Sequence, residues 1–200
     1  MADKSSIPYR LIEQKEETKK LAIILPGAGY TTQAPLLHYT TGIFRLKGFD
    51  VLHINYTFTR QELSEITGED FARDVQIAID HAIKNKKYND CYIVAKSIGT
   101  LALSYLLKNT MFKEAKVVWL TPLLQKEDVF TSLVNSVNKG LCIIGDEDPC
   151  FIEERFERLK NNHNLVLKLV DGGNHGLELN EKPIESIEIL KMVISDINEF

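Results

Sequence analysis

The chain has 200 residues and a formal net charge of −4 at neutral pH; 44% of its residues are hydrophobic and 26% charged. These values fit one soluble globular domain large enough to bury a core, and they exclude a disordered chain or a strongly basic nucleic-acid binder. The pairs Lys19-Lys20 and Lys86-Lys87 are too short to form a basic patch. No apolar stretch reaches the length of a membrane span.

The first residues, Met1 to Ser6, lack the apolar run of a signal peptide. The three cysteines, Cys91, Cys142 and Cys150, are odd in number and without CxxC spacing, which argues against disulfides and zinc. Cys91 and Cys142 fall in apparent strands and are read as buried small hydrophobes. The expectation is a reduced, cytoplasmic protein, with no nucleic acid or membrane among its partners.

Ile7 to Gln14 is read as an edge strand, because Pro8 cannot donate to a central ladder. Leu21 to Leu25 is a wholly apolar run, as expected of a strand covered on both faces. It stops at Pro26-Gly27-Ala28-Gly29-Tyr30. Leu36 to Lys47 reads as a helix closed by Gly48, and Val51 to Tyr56 as a strand. Glu69 to Ile83 carries Phe71, Val75, Ala78, Ile79 and Ala82 at helical spacing.

Cys91 to Ala95 is a short β-branched and aromatic run, whereas Leu101 to Leu107 is rich in good helix formers. Between them Ala95-Lys96-Ser97-Ile98-Gly99 must turn sharply. Further strands follow at Val117–Leu120, Leu141–Ile144 and Leu165–Val170. Helices are expected over Phe151–Lys160 and Pro183–Phe200, the latter with Ile184, Ile187, Leu190 and Ile194 on one side. Alternation of helices with apolar strands predicts an α/β fold: a doubly wound, mostly parallel sheet of about seven strands with helices on both faces.

Sites in such sheets lie at the carboxyl ends of strands. Here these ends carry Pro26-Gly27-Ala28-Gly29, Ser97, Asp148 and His175. A serine hydroxyl becomes nucleophilic only when a base takes its proton. His175 can be that base, and Asp148 can hold its tautomer and stabilise its cation. A developing oxyanion needs fixed donors: the N–H of Ile98, and one from the glycine loop, Ala28 or Gly29.

Ala95-x-Ser97-x-Gly99 resembles the nucleophile elbow of the α/β-hydrolase family, with alanine for the usual first glycine. The order Ser97, Asp148, His175 matches that family. Gly145-x-x-Asp148 resembles its acid loop and Gly173-Asn174-His175 its histidine loop. Pro26-Gly27-Ala28-Gly29 resembles its oxyanion loop, with proline for histidine. The resemblance runs from about Leu21 onward. It implies a serine hydrolase that cleaves a small or medium carboxylic ester or thioester through an acyl-enzyme, with no cofactor and no metal. Compact, lidless dienelactone-hydrolase-like members are the nearest subgroup. One domain, 1–200, is expected without a separate cap, since only Thr57–Gly68 and Thr121–Lys139 are long enough to build one. The alternative is a non-catalytic hydrolase-fold protein that binds a ligand or partner.

Other candidates are weighed against these. Asp146 competes with Asp148 for the acid, but Asp148 fits the spacing and precedes the stiffening Pro149. Asp171 is read as a turn residue, and Glu127 and Asp128 as solvent-facing. His38, His53, His81 and His163 lack a glycine-framed loop at a strand end. Lys96 is read as directed away from the site and paired with a carboxylate, the other reading being a cation that tunes the site. Tyr30 and Tyr56 either line a pocket or pack with their hydroxyls bonded.

Overall fold

A computed structural model describes residues 7–200, so the expectation about Met1 to Ser6 lies outside the described residues. The apolar runs form β1 (Tyr9–Ile12), β2 (Lys20–Leu25), β3 (Asp50–Ile54), β4 (Asp90–Lys96), β5 (Lys116–Leu120), β6 (Gly140–Gly145) and β7 (Leu165–Val170). They make one sheet in the order β1-β3-β2-β4-β5-β6-β7. Only β1 runs antiparallel, at the edge against β3. Pro8 stands just before it, where its missing N–H costs no ladder bond.

The helices are α1 (Pro35–Leu46), α2 (Arg60–Glu65), α3 (Gly68–Ile83), α4 (Ile98–Leu106), α5 (Glu127–Asn135), α6 (Glu153–Leu159) and α7 (Pro183–Glu199). Successive strand residues point to opposite faces, and the core divides accordingly. Leu21, Ile23, Leu25, Ile93, Ala95, Val117 and Trp119 pack with Phe71, Val75 and Ile79 of α3, Leu101 of α4, Phe130 of α5 and Phe156 of α6. Ala22, Ile24, Tyr92, Val94, Val118 and Leu120 pack with Leu36 and Phe44 of α1 and Val193 and Ile197 of α7. This is the expected doubly wound, mostly parallel α/β sheet.

Three details differ from expectation. The segments 57–68 and 121–139 each hold a short helix. Thr59 caps α2 in a reciprocal box with Glu62, and α5 buries Val129, Phe130 and Leu133 on the sheet. The stripe on α7 is displaced: Ile184 and Ile187 are 72% and 56% exposed, while Val193 and Ile197 are buried. The first turns of α7 stand beside a cleft rather than on the sheet, and Ile187 lines it. Cys91 is only partly buried, whereas Cys142 and Cys150 are buried; all three are free thiols.

Candidate active site

A single residue, Ser97, separates β4 from α4. It holds φ 54 and ψ −119, a left-handed conformation that costs a non-glycine residue about 1–3 kcal/mol and persists only when its surroundings enforce it. They do. The Ser97 N–H bonds to the Leu120 carbonyl at 3.0 Å, and its own carbonyl accepts from the Thr100 N–H at 2.9 Å and the Thr100 hydroxyl at 2.6 Å. Gly99 permits the turn, because a Cβ there would lie 2.5 Å from the Leu25 carbonyl oxygen. The helix therefore presses directly on β2, and Ser97 stands half-buried at the strand ends.

The acid and histidine loops meet through backbone. A Cβ on Gly145 would lie 1.8 Å from the Gly173 carbonyl oxygen, and the Glu147 N–H donates to that same oxygen at 3.1 Å. This approach seats Asp148, 3% exposed, beneath His175. Oδ1 of Asp148 accepts from the Cys150 N–H at 2.8 Å. Both carboxylate oxygens lie 2.8 Å from His175 Nδ1, and His175 Nε2 lies 2.8 Å from Ser97 Oγ. A carboxylate only accepts, so Nδ1 carries the proton and Nε2 is free to accept from the serine. The Asp148 hydrogen bond, followed by the Cys150 thiol beside the ring, raises the His175 pKa to about 9 against burial and the nearby Lys96 charge.

The loop after β2 closes the other side. Gly27 is buried beside Ser97, but its N–H is taken by the Tyr30 carbonyl at 3.0 Å. Ala28 is half-buried and Gly29 exposed. Among the described residues no acceptor takes the Ala28 N–H. The Ile98 N–H is the first of α4, where a helix supplies no internal partner. Tyr56 donates its hydroxyl to the Pro26 carbonyl, and the Tyr30 hydroxyl accepts from the Leu36 N–H at 3.1 Å. Both tyrosines therefore brace this loop. Tyr30 also lines a cleft of about 430 Å³ with Leu36, Gly176, Leu177, Ile187 and Leu190. Tyr30 and Gly176 belong both to the lining of this cleft and to the loops that carry the site.

The remaining candidates lie elsewhere. Asp146 accepts from the Gly172 N–H at 2.7 Å and joins the two loops. His53 is buried against Thr41 Oγ1 at 2.8 Å, and burial lowers its pKa to about 4. His38 lies on α1, His81 on α3 and His163 in an exposed turn. Lys96 does turn away from Ser97, but among the described residues it forms no ion pair with a carboxylate, contrary to expectation. It is 1% exposed and reaches the Thr121 hydroxyl and the His175 carbonyl. The signal for its burial lies in strand parity, since Lys96 continues the inward series Tyr92, Val94. Cys150 and Thr121 also border the site, and neither carries a motif that marks it in the sequence.

Ligand atoms of Asp148, Cys150 and His175 lie within 4.8 Å of one another. The 2.8 Å separation of His175 Nδ1 from the Asp148 oxygens is shorter than the roughly 3.3 Å between two ligands of a tetrahedral zinc. It is the spacing of a shared proton. Among the described residues, no helix is long and apolar enough to cross a membrane.

No protein-family model and no curated protein sequence matches the chain. Solved structures match over nearly its whole length. A protein of unknown function from Agrobacterium tumefaciens, described as a putative α/β hydrolase, superposes with a TM-score of 0.74 at 20% identity, covering 96% of this chain and 88% of that one. Est1E from Butyrivibrio proteoclasticus, with ferulic acid bound, gives 0.74 at 15% identity, covering 100% and 96%. A lidless α/β serine hydrolase from Xanthomonas campestris gives 0.65 at 14%, covering 95% and 88%. By its strand order, its two helical layers and these superpositions, the protein has the α/β-hydrolase fold.

Proposed function

We propose that the protein is a serine hydrolase that cleaves a small or medium carboxylic ester or thioester. One observation carries the reading: an unbroken chain of 2.8 Å contacts from Ser97 Oγ through His175 to Asp148. In this reading His175 Nε2 takes the serine proton as Oγ attacks the carbonyl carbon. The resulting oxyanion is held by the N–H groups of Ile98 and Ala28. His175 then returns the proton to the leaving alcohol or thiol, leaving an acyl-enzyme. Water, deprotonated by the same imidazole, releases the acid. Asp148 holds the Nδ1–H tautomer and stabilises the imidazolium at each stage. The apolar walls of the adjoining cleft suit the carbon chain of such a substrate.

A fluorophosphonate tests this without knowledge of the natural substrate, because it reacts only with a serine made nucleophilic by its base. The adduct is expected on Ser97 by mass spectrometry. Ser97→Ala should abolish labelling, and His175→Ala should nearly do so, since these groups act as a unit. Asp148→Asn should slow it strongly and Asp146→Asn only weakly. A folded wild type that stays unlabelled while a known serine hydrolase reacts fully would remove the enzyme reading. A ligand-binding role for the fold would replace it.

A further inference from the structure

Among the described residues, the ammonium of Lys96 is the buried charge beside the site that this chemistry leaves unused. Strand parity sends it to the face covered by α1 and α7. Its three hydrogens meet three partners: Thr121 Oγ1 at 2.8 Å, the His175 carbonyl oxygen at 2.7 Å, and the face of Tyr30, with Nζ 4.9 Å from the ring centroid. None of these is an anion. A methionine of similar volume would fill the space without desolvating a charge, so core stability does not account for a lysine here.

The partners come from three separate segments: the loop after β2, the end of β5 and the loop after β7. Thr121 is itself strained, at φ 45, where a β-branched residue is a genuine outlier. Its N–H is held by the Ile143 carbonyl at 2.7 Å, and its hydroxyl meets Lys96. Lys96 is covalently joined to Ser97 and hydrogen-bonded to the backbone of His175. A single residue thus spans from the nucleophile to its base.

Resting on the serine-hydrolase reading, we propose that Lys96 is a positioning residue whose buried ammonium clamps the His175 backbone and keeps the imidazole in line with Ser97 Oγ. Above about pH 8 the neutral amine still has N–H to donate to the His175 carbonyl. The charged and titratable groups facing it are Asp148 and Cys150 after β6, His175 and Glu178 after β7, and Tyr30 after β2. Burial lowers the Lys96 pKa to about 8 although Asp148, Glu178 and Cys150 favour its charged form.

The test is the rate of fluorophosphonate labelling across pH for the wild type, Lys96→Met and Lys96→Gln. Lys96→Met should lower the plateau rate by about 10- to 100-fold, the effect expected of a small misplacement of the base. Its midpoint should stay near the wild-type value, because Lys96, with a pKa of about 8, is largely uncharged where His175 titrates near 9. Lys96→Gln can still donate one N–H to the His175 carbonyl, so it should recover part of the plateau. A folded Lys96→Met with the wild-type plateau overturns the proposal. So does a slower plateau with no recovery in Lys96→Gln, which would reduce the residue to packing. If neither lysine variant melts cooperatively, Thr121→Ala takes their place: it removes one acceptor and should slow labelling, and an unchanged rate again overturns the proposal. A wild type that does not label removes the hydrolase reading and this proposal with it, so the wild-type control tells the two failures apart.

Discussion

His175 sets how the site should respond to pH. The Asp148 carboxylate raises its pKa to about 9, above the ordinary 6.5. Only the neutral imidazole accepts the serine proton, so on the proposed hydrolase reading kcat/KM for a small ester should rise with pH and level off on the alkaline side. A midpoint at or below 6.5 in a rate profile of the free enzyme would contradict the Asp148–His175 contact. The same shift carries a stability consequence of opposite sense. A group whose pKa is raised by folding stabilises the fold fully below its unfolded value, and that contribution fades as pH rises from about 6.5 through about 9. Cys150 flanks this pair: its backbone N–H anchors Asp148 and its thiol lies beside the ring.

At the level of elements, the site depends on how closely α4 lies on β2. Gly99 leaves no room for a methyl group against the Leu25 carbonyl. Gly99→Ala should therefore push α4 outward and cost about 1–3 kcal/mol, read as a lower midpoint in chemical denaturation. The same displacement moves the Ile98 N–H and Ser97 together, so labelling should slow in the folded variant as well. Wild-type stability in Gly99→Ala would show that the strand and helix have slack at this corner. By contrast, the capping box of α2 acts on an exposed turn. It supports the segment 57–68 without bearing on the strand ends.

For the whole molecule, the expected behaviour follows from what the two long segments became. The α5 helix packs on the sheet through Val129, Phe130 and Leu133, residues 61–65 of α2 are exposed, and Ser97 is half-buried. Hydrolysis of soluble short-chain esters should then need no lipid interface. Rate measured against substrate concentration should pass smoothly through the micellar threshold, and a sharp rise there would point to a lid. Ile187 and Leu190 of α7 line the cleft whose wall also includes Tyr30 and Gly176 from the loops of the site.

Strand and helix identities can be read from the chain because burial on both faces demands continuous apolar runs, as in Leu21–Leu25, and because one-sided helices show their stripe, as in Gly68–Ile83. The strand ends bearing Ser97, Asp148 and His175 are legible for the same reason, since each run stops at a glycine, a proline or the serine turn. The short helices α2 and α5 are not legible in the sequence, although Thr59-x-x-Glu62 is a capping signal; six to nine residues are too few for a clear period. The stripe on α7 lies displaced because periodicity cannot say which turns overhang the sheet. Lys96 shows the limit most plainly. Strand parity alone places it on an inner face, but its acceptors, Thr121 and the His175 carbonyl, lie 25 and 79 residues away. Local sequence determines which residues stand at which strand end; only the packing of seven strands side by side decides which of those ends touch.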